Sequence, residues 1–236
     1  MAKINFKKSI IWENDDYLVI NKPPFVSSLD DRNDQTTILS LARAYHADAQ
    51  LCHRLDKETS GVLVIAKNPE AYRHMSLQFE NRTVKKVYHA VVDGIHDYKD
   101  VRYSQPIYKM SNGVVKIDKR GKDAVTYFQT LKAYKEHTLV ECKPVTGRMH
   151  QIRIHLSYQH SPITCDLQYG GRPLLLSNIK KNYNLKKGTE ELPLIKRLAL
   201  HAHKITIKLL NEEEKTFEAE RPKDFKVLIK QLEKNS

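Results

Sequence analysis

The sequence predicts a single α+β domain. Strand-like and helix-like segments are mixed along its 236 residues, without the regular strand–helix–strand alternation of a doubly wound parallel sheet. Hydrophobic residues make up 40% of the chain, which is enough for a substantial core and excludes a wholly disordered protein. Because no Gly/Pro/Ser-rich linker divides the chain, we expect one domain across residues 1–236.

The first elements are short strands around Trp12 and over residues 17–20. They end at the segment 21–24, since its paired prolines cannot continue a strand ladder. Apolar residues at helical spacing predict a helix over 36–45. The continuous apolar run 61–66 is typical of a buried strand.

A second helix is predicted to begin after Asn68, which is a favoured N-cap residue and is followed by proline and glutamate. Alternation over 84–92 predicts a strand that ends at Asp-Gly. The later elements are a strand pair over 124–131 and 138–142, a hairpin over 204–210 and 215–219, and a C-terminal helix over 223–234.

The segment 147–158 fits two patterns. Ile152, Ile154 and Leu156 alternate as in a strand, whereas Arg148, Ile152 and His155 share one face of a helix. We favour the helix.

The charge balance indicates a polyanionic partner. The chain has 40 Lys+Arg against 28 Asp+Glu, a net charge of +12, which suits nucleic acid or an acidic membrane surface. No apolar run approaches the roughly 18–20 residues of a membrane helix, and no signal peptide is recognisable. The three cysteines form no CxxC pair, so we expect neither disulfides nor a zinc site, and a cytoplasmic protein.

The most informative segment is His53–Gly61, with Asp56 at its centre. It precedes a predicted buried strand, and functional residues collect at strand ends. Arg54 and Lys57 flank Asp56, and nearby positive charge favours the ionised carboxylate, which can act as a nucleophile or an electrostatic stabiliser. Taken alone, an Arg-Leu-Asp run is more typical of a surface turn with an ion pair.

The segment 146–156 concentrates basic and amide side chains. Guanidinium and amide groups suit phosphates and base edges, but a solvated helix face has the same composition, so both interpretations stay open. Tyr88, on the strand 84–92, is more typical of a core aromatic than of a base-stacking residue. The histidines lack metal-ligand spacing, so we expect no metal.

Three blocks together resemble a known family. HRLDKETSG at 53–61, KKVYHA at 85–90 and TGRMHQIRIHL at 146–156, the last followed by Pro-Ile, Asp166 and Tyr-Gly-Gly, resemble the RluA-type pseudouridine synthases in order and spacing. Weaker matches at 17–24, which contains Asn-Lys-Pro, and at 197–202 extend the resemblance to about residues 10–225.

The resemblance implies one catalytic domain with a long mixed, mostly antiparallel sheet, flanking helices and a central RNA-binding cleft. It implies isomerisation of particular uridines in structured RNA (rRNA, tRNA or both) to pseudouridine, without a metal or organic cofactor. Because the matched pattern begins by about residue 10, we expect a compact member without an N-terminal S4-like domain. We also expect a monomer.

The resemblance further implies roles for individual residues. Asp56 matches the catalytic aspartate, Tyr88 the tyrosine that stacks on the target base and is a proposed base for the C5 proton, and Arg153 the basic residue that pairs with the aspartate. Arg54 matches an arginine that helps to open the target site, and Leu200 an apolar residue of the pocket. The other expected RNA contacts in the matched blocks are His53, Thr59, Arg148, His150 and Gln151.

Several positions depart from the family pattern. Phe25, His160 and Cys165 stand where the family commonly has glycine, and we expect them to change loop shape and RNA choice rather than catalysis. The basic segments 116–122 and 180–187 are either outer RNA contacts or solvated loops.

Two other functions are open to a basic chain with these residues. One is an RNA-binding or RNA-folding factor whose catalysis is incidental. The other is a metal hydrolase that uses the histidines, which a chelator would inactivate. The presence of Asp56, Tyr88 and Arg153 together favours the isomerase.

Overall fold

The computed structural model describes residues 4–29, 36–185 and 188–236 and has the mixed α+β composition that the sequence predicts. The chain groups into two units. The first comprises the residues up to Val87 together with His201–Arg221, and the second comprises Tyr88–Leu200 and Pro222–Ser236. The single domain over 1–236 and the central RNA-binding cleft stay predictions.

The helices of the described residues are mostly short. The α-helices are α1 (Ile38–Tyr45), α2 (Pro69–Glu80), α3 (Gln151–Tyr158), α4 (Leu176–Ile179) and α5 (Lys223–Lys234), and single 3₁₀ turns cover Phe6–Ser9 and Leu167–Tyr169. The N-cap expected at Asn68 is confirmed, because its Oδ1 accepts the N–H of Ala71 at 2.8 Å.

The strands range from two to nine residues. They are β1 (Ile10–Glu13), β2 (Tyr17–Lys22), β3 (Gln50–Leu51), β4 (Ser60–Ala66), β5 (Lys85–Asp93), β6 (Val101–Ser104), β7 (Ile107–Lys109), β8 (Val115–Ile117), β9 (Val125–Ala133), β10 (His137–Pro144), β11 (Leu200–Lys208) and β12 (Glu214–Glu218).

In the first unit the strand order is β1–β2–β4–β11, with β3 pairing with β4 and β12 pairing with β11. The β4·β11 pair is parallel and the other pairs are antiparallel, so the mixed, mostly antiparallel prediction is confirmed. All seven residues of β4 are buried. This two-sided burial explains why β4 appears in the sequence as a continuous apolar run rather than an alternating one.

Gly61 permits the close approach of β4 and β11. It pairs with Ala202, has a φ of +121°, and a Cβ at this position would collide with the Ala202 backbone. A side chain is therefore excluded here both by space and by backbone conformation.

In the second unit the order is β5–β10–β9–β6, all antiparallel, while β7 and β8 form a separate two-stranded sheet. Helix α3 packs against β8, β9 and β10. Helix α5 contributes Phe225, Leu228 and Leu232 to the core of this unit. The predicted pairing of 124–131 with 138–142 is confirmed.

The ambiguous segment 147–158 is a helix, as favoured, but it begins only at Gln151. All six residues Gln151–Leu156 are buried. A helix that is covered on every side loses the one-faced apolar pattern, which is why the sequence also fits a strand.

The three positions where the family commonly has glycine share one backbone feature. Phe25, His160 and Cys165 have φ values of 66°, 58° and 65°, in the left-handed region that glycine enters without strain. The backbone conformation that glycine favours is therefore kept in each loop, so these three backbones do not support the expected change of loop shape.

His160 occupies the C′ position of α3 in a Schellman motif. Its N–H donates to the carbonyl of Ser157 and the N–H of Ser161 donates to Leu156, both at 3.0 Å. His160→Gly should raise the free energy of unfolding by about 1 kcal/mol, because glycine removes the strain of a left-handed β-carbon.

Urea unfolding of wild type, His160→Gly and His160→Ala measures this effect. Alanine removes the imidazole but keeps the β-carbon, so it should give no comparable gain. Equal stabilities for the glycine and alanine variants would contradict the strain argument.

Candidate active site

Asp56 lies in the turn that leads into β4. Its side chain is half-buried, and its carbonyl oxygen accepts the N–H of Thr59 at 3.0 Å, one residue before the strand begins. Because β4 is buried on both faces, the turn at its N-terminal end is anchored to a rigid element. The carboxylate is therefore presented from a fixed turn rather than from a free loop.

A buried lysine connects this turn to the loop that follows β2. Lys22 has no exposed surface, and its Nζ donates to the carbonyl oxygens of Pro23 (3.1 Å), Val26 (2.8 Å) and Lys57 (3.2 Å). A buried ammonium is tolerated only where such acceptors replace water. Lys22 thus ties the residue after Asp56 to the loop 23–26.

Ser28 makes a second connection on the other side of Asp56. Its Oγ donates to the carbonyl of Leu55 at 2.7 Å and accepts the N–H of Leu55 at 3.1 Å. Both neighbours of Asp56 are therefore held, Lys57 by the last residue of β2 and Leu55 by a residue of the loop that follows it.

The start of β4 is fixed by a histidine of β11. Ser60 Oγ and His201 Nδ1 are 3.0 Å apart, and His201 Nε2 lies 3.0 Å from the carbonyl oxygen of Ala219. Since Nε2 must donate to a carbonyl, Nδ1 of a neutral ring is the acceptor of the Ser60 hydroxyl. Ser60 and His201 are both completely buried, so this pair holds the strand and is not offered to a ligand.

The side chain of His53, an expected RNA contact, forms a hydrogen bond with the backbone of β4. Its Nε2 accepts the N–H of Val64 at 3.0 Å, and its ring packs against Phe79 with centroids 5.1 Å apart. Burial, with a smaller contribution from the positive charge of Lys86, lowers the pKa of His53 to about 3. The ring is therefore neutral at physiological pH.

The other two expected contacts in this turn differ in exposure. Arg54 is exposed. Thr59 is only 2% exposed, and its hydroxyl is buried with no hydrogen-bond partner among the described residues. Arg54 is therefore the more accessible of the two to RNA.

In the second unit, Arg153 is held by Asp166. Its Nε and Nη2 donate to the two carboxylate oxygens at 2.7 and 2.8 Å, and Nη2 also donates to Gln168 at 3.0 Å. The guanidinium lies 4.9 Å from the Tyr169 ring centroid. Both partners of the ion pair are buried, so the pair is shielded from solvent. The pairing of Arg153 with Asp56 stays a prediction.

Tyr88 and Leu200 lie on strands. Tyr88 is half-buried on β5, and Leu200 is 4% exposed at the start of β11. The carbonyl of Leu200 accepts a hydrogen bond from Arg197 Nη1 at 3.1 Å, while Arg197 Nε and Nη2 donate to Asp224 at 2.8 and 3.1 Å. Arg197 is 1% exposed, so a buried guanidinium positions the backbone of this apolar residue.

Gln151 does not fit the expected role in RNA contact. Its Oε1 accepts from Thr146 Oγ1 (2.7 Å) and from the Arg148 N–H (3.0 Å), while its Nε2 donates to the Val125 carbonyl (2.9 Å) and to Thr126 Oγ1 (3.0 Å). These four bonds use the full capacity of the amide, and the side chain is 4% exposed. Gln151 holds the loop before α3, and we do not retain it as an RNA contact.

The remaining two expected contacts are half-buried and only partly engaged. Arg148 Nε donates to the Asp123 carbonyl at 3.0 Å. His150 Nδ1 lies 2.8 Å from the Tyr169 hydroxyl, and its backbone is left-handed with φ 54° at the N-cap of α3. Strained residues of this kind occur at ligand-binding sites more often than elsewhere.

The two basic segments have different surroundings. In 116–122, Asp118 pairs with Lys116 (3.2 Å) and Arg120 (2.7 Å), and the hydrogen bonds from Arg120 hold its pKa well below the usual range. In 180–187, Lys180 lies over the Tyr183 ring at 5.7 Å, while residues 186–187 lie outside the described residues.

Two features are absent from the described residues. No group of three or more His, Cys, Asp or Glu side chains is arranged to hold a metal ion. No helix in that part of the chain has the length and apolar character needed to cross a bilayer.

Comparison with known proteins decides the family. A family model for RNA pseudouridylate synthase matches residues 16–158. The chain belongs to this family. The matched region contains the Asp56 turn, Tyr88 and Arg153.

Several curated relatives are more than a third identical to the chain over the aligned residues. The ribosomal large subunit pseudouridine synthase C of Buchnera aphidicola is 36% identical over 209 residues, covering 86% of this chain and 63% of that protein. An RNA pseudouridine synthase of Helicobacter pylori is 37% identical over 223 residues, covering 94% and 78%. The chain spans only 53% of the corresponding synthase C of Vibrio cholerae.

Solved structures of the family have the same fold. Human RNA Pseudouridylate Synthase Domain Containing 4 matches with a TM-score of 0.71 and 26% identity, covering 97% of this chain and 94% of that one. Human RNA Pseudouridylate Synthase Domain Containing 1 matches with a TM-score of 0.70, also at 26% identity. The predicted fold class is therefore confirmed.

Sequence reasoning missed the residues that support the site. Lys22 was part of the Asn-Lys-Pro match, but its role was not predicted, although a lysine that ends an apolar strand before two prolines is an unusual signal. Asp166, the partner of Arg153, was part of the family resemblance, but no role was predicted for it. Ser28 carries no sequence signal, because its contact with Leu55 is long-range.

Replacing Lys22 by Met should lower the free energy of unfolding by about 3 kcal/mol, because the carbonyl groups of Pro23, Val26 and Lys57 lose the buried ammonium that donates to them. Chemical denaturation is the measurement, with Lys119→Met as the control, since Lys119 is exposed. If both variants were equally stable, the ammonium would not anchor the turn.

The stability of the protein should depend on His53 below neutral pH. Because the folded pKa is about 3 and the usual value is 6.5, the unfolded chain binds a proton that the folded chain does not within this window. Stability from this group is complete above pH 6.5 and falls as the pH decreases towards 3.

The variant His53→Gln tests this dependence, since its amide oxygen can accept the Val64 N–H without titrating. Urea unfolding of both proteins at pH 7, 5 and 4 should show a smaller loss for the variant. If the free energy of unfolding fell by the same amount in wild type and His53→Gln, the result would contradict a neutral buried imidazole at position 53.

Proposed function

We propose that this protein is an RNA pseudouridine synthase that isomerises specific uridines in structured RNA through Asp56. The observation that carries the proposal is the position of Asp56, which lies in the His53–Gly61 motif of a family member, in a turn anchored on both sides. No organic cofactor takes part in the proposed reaction, because isomerisation needs neither a redox partner nor a group donor.

The reaction breaks the C1′–N1 bond, rotates the uracil and joins C5 to C1′. Breaking a glycosidic bond develops positive charge on the sugar, which an ionised aspartate stabilises or traps covalently. The proton at C5 is then lost to a base, and N1, which has lost its bond to the sugar, takes up a proton, so that the product is an isomer of uridine. A fixed carboxylate lowers the barrier because it does not have to be reoriented when the charge forms.

Other residues act on the base and on the carboxylate in this proposal. Tyr88 offers a π-face to the extruded uracil and is the candidate base for the C5 proton. Arg153 contributes positive charge to the site, with Asp166 fixing its orientation. Leu200 forms part of the apolar pocket, and Arg54, Arg148 and His150 are the retained RNA contacts, while Thr59 is not retained because its hydroxyl is buried.

The substrate is proposed to be rRNA, tRNA or both. The net charge of +12 supplies the salt-dependent backbone affinity that RNA binding needs. Relatives named for the ribosomal large subunit support rRNA. The proposal also has the protein acting as a monomer in the cytoplasm.

Asp56→Asn should abolish turnover while leaving RNA binding within a few-fold of wild type, because the amide is isosteric but cannot stabilise cationic charge. Tritium release from C5-labelled uridine measures the reaction, with unmodified rRNA and tRNA transcripts offered separately. Release from one transcript alone also identifies the RNA class.

Asp48→Asn is the matched control, since Asp48 is an exposed aspartate of the same unit. It should release tritium at the wild-type rate. Full activity of Asp56→Asn would refute the proposed catalytic role, and RNA binding without any tritium release by wild type would favour an RNA-binding factor.

A further inference from the structure

Phe25 is an exposed aromatic residue in a strained conformation. Its side chain is 47% exposed and its φ is 66°. A bulky residue rarely adopts a left-handed backbone, and such strain persists only where the surrounding structure enforces it. Leu29, four residues later, is also 40% exposed, so an apolar surface lies on this loop.

The loop of Phe25 is pinned to the turn of Asp56 at two points. Lys22 Nζ lies 2.8 Å from the carbonyl oxygen of Val26, the residue after Phe25, and 3.2 Å from that of Lys57, the residue after Asp56. The two hydrogen bonds between Ser28 and Leu55 close the other end of the loop. Phe25 therefore projects from a segment that is held against the catalytic turn.

The same turn carries exposed positive charge. Arg54 and Lys57, on either side of Leu55 and Asp56, are both exposed. An aromatic face beside cationic side chains is the arrangement with which proteins bind single-stranded nucleic acid, since bases stack on the ring and phosphates meet the cations. A protein partner that bound through apolar contacts would not require the positive charges of Arg54 and Lys57.

We propose that Phe25 stacks on an unpaired nucleobase of the RNA next to the target uridine, and so contributes to substrate choice. This inference rests on the proposed function, because it assigns a neighbouring nucleotide to the same site. The ring is 47% exposed, and the two anchors keep the loop that carries it at a fixed distance from the turn of Asp56.

The test compares side chains that separate stacking from apolar contact. The binding of a fluorescein-labelled 12-nucleotide oligouridylate by wild type, Phe25→Ala, Phe25→Leu and Phe25→Trp is measured by anisotropy. Alanine and leucine should weaken binding roughly 5- to 150-fold, the range found for loss of one base–aromatic stack, while tryptophan should bind as wild type or tighter.

Leu77→Ala is the matched control, because Leu77 is equally exposed, at 47%, and lies on α2 of the same unit. It should not change binding. Phe25→Gly adds a second control: it removes the strain and should raise the melting temperature, yet its RNA binding should be as weak as that of alanine. Weak binding with raised stability excludes misfolding as the cause.

On an RNA transcript that supports tritium release, Phe25→Ala should raise KM while leaving kcat within about threefold, because the stack contributes equally before and during the chemical step. The inference would be overturned if Phe25→Ala and Phe25→Leu both bound the RNA within twofold of the wild-type affinity. It would also be overturned if Phe25→Leu alone kept the wild-type affinity, because leucine cannot stack on a base. Absence of tritium release by the wild-type protein would instead refute the proposed function, so the two failures are distinguishable.

Discussion

One buried ammonium group holds the two loops on which the proposed site depends. Lys22 is the last residue of a buried strand, where water cannot reach its ammonium group. The ammonium instead donates hydrogen bonds to the carbonyl oxygens of Pro23, Val26 and Lys57. Because each acceptor belongs to a loop backbone, the requirement to solvate one cation fixes the path of both loops. The orientation of Asp56 and the exposed position of Phe25 follow from this constraint.

In the second unit, buried charged and polar groups also need hydrogen-bond partners, and side chains provide many of them. Asp166 pairs with the buried guanidinium of Arg153, and Gln151 uses its whole amide to hold the loop before α3. Arg197 likewise joins the backbone of Leu200 to Asp224 on α5. These residues provide a rigid frame, and Arg148 and His150, which are half-buried, are the residues of the third motif that we propose as RNA contacts.

Elements with strong local signals were predicted closely from the sequence. The helix after Asn68 has its N-cap, proline and apolar face within a few residues, and the C-terminal helix has the bounds that its pattern predicts. The strands β6, β7 and β8 were not predicted, since strands of three or four residues are too short to show a period. Gln151 was assigned to RNA because polarity in a sequence does not reveal whether an amide is already saturated.

The sequence by itself determined the fold class, the family and the position of the candidate aspartate, because these depend on periodicity and on the order of motifs along one chain. The tertiary structure decided which side chains hold the loops around the candidate site and which side chains stay exposed. Lys22, His53 and Gln151 belong to the first group because their hydrogen-bond partners are backbone or side-chain groups that only folding brings within 3.2 Å. Phe25 belongs to the second, since its exposure results from anchors on either side of it that the sequence does not display.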